Sequence, residues 1–153
     1  MKNVKFSFLL MVLMLFAVNV QAQQQGRQMQ QQMQQQQHMQ EMMNRMNQMM
    51  ERTQNMTMEM NRSMQQAQNE QMRNQFRMMH QFGGQLGLAL GNMKNTLNES
   101  KQILQNQEMM RDRNMQQDMN RMQQHLSGMS GQMEEAVQLM ERMTTRLRER
   151  QSQ

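Results

Sequence analysis

From residue 39 the chain places its apolar residues at alternating steps of 3 and 4: Met39, Met42, Met46, Met49, Met56 and Met60, with Thr53 in the same series. That spacing lines one stripe of an α-helix, the a and d positions of a heptad. Ser63 and Ala67 continue the register weakly, and it fades at Glu70. Met43, Met50, Met58 and Met64 widen the apolar face beyond a strict seam. A sparser seam follows at Leu86, Leu90, Met93, Leu97 and Leu104. The clearest series is C-terminal: Met115, Met122, Met129, Ala136 and Met143 hold one heptad position, and Met119, Leu126, Met133, Met140 and Leu147 the other. Fully helical, that stretch is about 50 Å long.

Between the seams lie Gly83, Gly84, Gly87 and Gly91, with Leu86, Leu88 and Leu90 among them. Gly at every fourth position makes a flat helical stripe for close approach, but each Gly also weakens a helix by about 1 kcal/mol relative to Ala. The cluster therefore predicts a bend over 82–92. Charges favour helix on either side. Glu41 precedes Arg45 by four residues, and Glu59/Arg62, Glu70/Arg73, Glu108/Arg111 and Asp118/Arg121 stand three apart, always acid first, the favourable order. The expected fold is all-α: long amphipathic helices forming a coiled coil or a helical hairpin. A first helical segment spans 39–81, a Gly-rich bend 82–92 and a second helical segment 93–150. Ser127-Gly128 and Ser130-Gly131 are places where the second could kink. A helix with one apolar stripe is not stable alone in water, so self-association through the heptad seams is expected.

Composition sharpens this picture. The 153 residues include 28 Met but no Cys, Pro, Trp or Tyr. Without Cys there are no disulfides, thiolate metal sites or thiol nucleophiles. From residue 23 onward only 12 residues are Val, Ile, Leu or Phe, so any core must be built of Met. Met is a good helix former and a flexible filler that fits many packings. Residues 23–38 are a low-complexity segment of Gln with Met29 and Met33.

The first 22 residues read as a secretory signal. Lys2 and Lys5 give a positive start, Phe6 to Val18 is apolar apart from Ser7, and Val20-Gln21-Ala22 fits a cleavage site. The run is shorter than the roughly 20 residues that cross a bilayer. The expectation is a bacterial periplasmic or extracellular protein cleaved near Ala22/Gln23, with no membrane segment afterwards. Removal of the two lysines leaves 15 Lys+Arg against 12 Asp+Glu, too small an excess to point to nucleic acid. Phe76 and Phe82 are the only aromatics left, which offers no stacking platform for single strands.

No catalytic pattern is present: Ser127 and His125 fall on different helix faces, and no Gly-rich loop follows a strand. The expectation is no enzyme and no required cofactor. Thioethers, however, are soft neutral ligands for Cu(I) and Ag(I), and they need no deprotonation. The best single site is Met122, His125 and Met129, which share one helical face. Met56, Met58 and Met60 form a Met-x-Met-x-Met run, Met78, Met79 and His80 are consecutive, and His38 stands near Met42. These Met-x2-His and Met-x-Met spacings, after a signal and without Cys, resemble methionine-rich bacterial copper- and silver-binding proteins. The resemblance implies buffering of soft metal ions. Met at helical spacing also builds cores, so a structural or chaperone-like protein that binds itself or other proteins fits the same residues. Exposed Met could further serve as a reversible oxidant sink.

Overall fold

The computed structural model describes the backbone of residues 2–151 and the side chains of 29–151. The expected signal segment, 1–22, lies outside the residues whose side chains are described. Helix α1 runs Lys2–Gln66, α2 Glu70–Gln105 and α3 Arg113–Gln151, with a 3-10 turn at Met109–Arg111. The chain divides into two units, Met1–Gln37 and His38–Gln153. The first is helical from Lys2 onward, and Met29 and Met33 in it are exposed. The second holds a three-helix bundle.

The breaks fall at Asn and Asp, not at Gly. Asn69 caps α2, its Oδ1 accepting from the Met72 N–H at 2.8 Å. Asn106 Oδ1 accepts from the N–H groups of Glu108 and Met109 as the chain leaves α2. Asp112 Oδ1 then accepts from the Asn114 N–H at 2.8 Å at the start of α3. Each side chain satisfies N–H groups that a new helical turn cannot pair internally.

Interhelical contacts define the directions. Lys101 Nζ donates to Gln40 Oε1, while Gly83 lies against Thr57. Numbers rise along α1 as they fall along α2, so these helices are antiparallel. Ser100 Oγ meets Met122 Sδ, and Gly83 lies against Met140, so α2 and α3 are antiparallel too. Arg52 bonds Glu134 and Glu141, and Glu59 bonds Arg148, so α1 and α3 run the same way.

The core lies along the three inner stripes. On α1 it comprises Met39, Met42, Met46, Met49, Thr53, Met56, Met60, Ser63 and Ala67. On α2 it comprises Phe76, Met79, Gly83, Leu86, Leu90, Met93, Leu97, Ser100 and Leu104. Both series keep the alternating 3 and 4 steps throughout. Ten Met are buried among the described residues, and their flexible side chains fill the space between stripes. Small residues make room: a Cβ on Gly83 would stand 2.5 Å from Met140 Cε.

Two expectations change here. The bend over 82–92 is absent, because α2 runs through it and no described Gly has positive φ. The turns lie instead at 67–69 and 106–112, dividing the expected first segment, 39–81, and the expected second, 93–150. On α3 the position of Met119, Leu126 and Met140 is buried as expected, but its companions are Ser130, Val137 and Thr144. Met129 and Met143 are exposed. The stripe facing the other helices is thus one residue further along than the Met series, and small side chains occupy it.

Candidate functional site

The three flanks of the bundle differ in chemistry. Between α1 and α3 run interhelical ion pairs. Arg52 donates through Nε and Nη2 to the two Glu141 oxygens, each at 2.8 Å, and through Nη1 to Glu134 at 2.6 Å. Arg148 pairs with Glu59 at 2.5 Å. Donating hydrogen bonds to Glu141 and then to Glu134 raises the Arg52 pKa, and accepting from Arg52 holds the Glu141 carboxyl below its ordinary value. A shallow cleft of about 260 Å³ lies beside these pairs, reaching Met56 and Thr144. Its four charged residues, Arg52, Glu59, Glu141 and Arg148, are already paired with one another.

These pairs are spaced by sevens, with Arg52 and Glu59 on α1 and Glu134, Glu141 and Arg148 on α3. That was the available signal, since each set borders an apolar seam. The i,i+3 spacing pairs Glu59 with Arg62, whereas its oxygen bonds Arg148 across the bundle. Of the local pairs, Asp118–Arg121 is seen at 3.8 Å, both side chains being largely exposed.

Between α2 and α3 the character reverses. Flanking the α2 core on this side are Gln75, Phe82, Ala89, Thr96 and Ile103; flanking the α3 core are Met115, Met122, Met129, Ala136 and Met143. Neither series carries a charge over this length, and Arg150 follows Met143 by one heptad. Met122 reaches into the groove, where its Sδ accepts from Ser100 Oγ at 3.7 Å. Met78, Phe82, Leu139 and Met143 are all exposed at one end of this flank.

The thioether sites separate clearly. Met56 and Met60 are both buried in the core, while Met58 is exposed on the other side of α1; alternate residues on a helix lie about 200° apart. The Met-x-Met-x-Met run therefore does not converge. Met79 is buried, His80 is half-buried and Met78 is exposed, as consecutive residues fan out by about 100° each. Met42 is buried in the α1 core with His38 half-buried above it. Met122, His125 and Met129 lie within an arc of about 60° on α3, with Met122 half-buried and the other two exposed. This trio sets two thioethers and an imidazole, the donor types a soft cation takes, on one helical face, with the Met122 sulfur turned to Ser100. Among the described residues, no three His, Asp or Glu side chains gather as a hard-metal site would require, and no helix is long and apolar enough to cross a membrane.

The chain matches no protein-family model, and neither a curated protein nor a solved structure matches it.

Proposed function

We propose that this is a secreted, non-catalytic helical protein that works by contact with protein, and that its methionines serve first as core. One observation carries this reading: the heptad seams are filled within one chain, leaving the uncharged, Met-bearing α2–α3 flank partly exposed. Met-rich apolar surfaces accommodate varied partners because the side chain repacks at little cost. The processed chain, free of metal, is expected to suppress aggregation of an unfolded client protein. Phe82→Glu should weaken that suppression while Met58→Glu, on the far side of α1, should not. Equal effects of the two, or no suppression at all, contradict the reading.

A second reading rests on the α3 trio. Met122, His125 and Met129 form one accessible Cu(I) or Ag(I) site, so soft-metal buffering would be a surface property of this bundle. His125→Ala should then lower Cu(I) affinity more than His80→Ala does, and equal effects would remove the assignment.

A further inference from the structure

We propose that the α2–α3 flank is a self-docking surface, on which a second copy of this chain lies antiparallel about a two-fold axis level with Ala89 and Ala136. The inference rests on the contact reading above and names its partner and geometry.

The groove carries no charge along its length, and its relief is graded. Met78, Phe82, Leu139 and Met143 project at one end. Ala89 and Ala136 form a low middle, and Thr96 and Met129 stand beyond it. The bundle register places Ala89 and Ala136 near one level, since Gly83 meets Met140 and Ser100 meets Met122. A two-fold axis there sets the projecting end of one copy over the Thr96 and Met129 end of the other. An isologous contact of this kind is the commonest route to a closed dimer.

Charge selects the second copy and its direction. The positions one step outside the groove are Met78, Gln85, Asn92 and Glu99 on α2, and Asp118, His125, Gln132, Leu139 and Arg146 on α3. Glu99, Asp118 and Arg146 are the fixed charges in that rim; all are exposed, and the two acids stand at the opposite end from Arg146. A two-fold axis lying across the helices sets α3 on the partner's α3, so Asp118 of each copy comes toward the Arg146 end of the other. A parallel arrangement would set like charges at each end. The α1–α3 flank offers no such surface because its ion pairs are satisfied within the chain.

Sedimentation equilibrium of the processed chain tests this. A dimer is expected, weakened at least tenfold by Ala136→Glu while the circular dichroism spectrum keeps its helical signal. Asp118→Arg and Arg146→Asp should each weaken it several-fold, and the double variant should recover it. A monomer at all concentrations, or a dimer unaffected by Ala136→Glu, overturns the proposal. A dimer that the double charge swap fails to restore overturns the antiparallel geometry. If the chain is monomeric but still suppresses client aggregation through Phe82, the contact reading stands and only the self-docking fails; loss of both removes the reading itself.

Discussion

Gly83 and Met140 meet at one level of the core, so closely that a Cβ on Gly83 would lie 2.5 Å from the Met140 methyl and equally near Thr57 Oγ1. The Met140 end can turn aside, but Thr57 is held by its own bond to the Thr53 carbonyl at 2.7 Å. Gly84 and Gly91 have nothing within 4 Å of the same position. Gly84→Ala and Gly91→Ala should therefore stabilise the bundle by up to about 1 kcal/mol, the usual helical gain. Gly83→Ala adds an overpacking cost of about 1–3 kcal/mol, so it should be less stable than Gly84→Ala by that amount. Urea denaturation of the three variants measures the difference, and equal stabilities would contradict the close approach.

Arg52 sits between Glu134 and Glu141 and ties α1 to α3. All three side chains are more than a third exposed, so solvent screening limits the contribution of the group to about 1 kcal/mol. Its pH dependence has a definite sign. Glu141 is depressed in the folded protein by its bond to Arg52, so its contribution is fully present above the ordinary value near 4.5 and is lost as pH falls through the depressed folded value. Arg52→Gln should destabilise the protein at pH 7 and flatten the loss of stability below about 4.5. Denaturation midpoints across the acid range test both, and an unchanged acid slope in the variant would contradict the linkage.

Thr53 lies in the α1 core, and its hydroxyl is buried without a hydrogen-bond partner. A buried hydroxyl without a bond costs about 1–3 kcal/mol, and Val has nearly the same shape. Thr53→Val should raise stability by about 1 kcal/mol or more. Thr144→Val, which loses a contact of Oγ1 with Met60 Sδ at 3.9 Å, should gain less. Paired thermal melts decide it, and a destabilised Thr53→Val would show that the hydroxyl has work to do.

Much of this core is legible in the chain. Met39 to Met60 and Leu86 to Leu104 follow one stripe each, and every residue read there as seam is buried. Helix α3 is harder because Met borders both sides of its stripe. The helix turned toward Ser130, Val137 and Thr144, where small side chains face the crowded interior, leaving Met129 and Met143 outside. The turns are harder for another reason. Asn and Asp caps punctuate a chain rich in polar residues without standing out, whereas the Gly cluster stays helical and, of its members, Gly83 makes the close approach. Of the soft-metal sites, only one whose residues share a face and avoid the stripe could stay accessible. That condition needs the bundle, not the motif.

The division between buried and exposed Met predicts a graded response to oxidant. Under limiting hypochlorite, Met29, Met33 and Met58 should become sulfoxide first, with Met78, Met129 and Met143 joining them wherever the α2–α3 flank is uncovered. Met39, Met46, Met60 and Met140, which are fully buried, should follow only as the helices melt. Peptide mapping against helical circular dichroism measures the order. Uniform oxidation with the helices intact would mean that these Met are not packed.

The central claim, that Met serves first as core and only secondarily as ligand, is tested most directly by Cu(I). An anaerobic titration of the chain from Gln23 onward against a competing chelator, with circular dichroism followed in parallel, reads both roles at once. The account predicts a helix complete before metal is added. It also predicts saturation near one Cu(I) per chain, lost with Met122→Ala or His125→Ala. Several Cu(I) per chain, with helix forming only as metal binds, would mean that the thioethers of the seams are ligands and would contradict it.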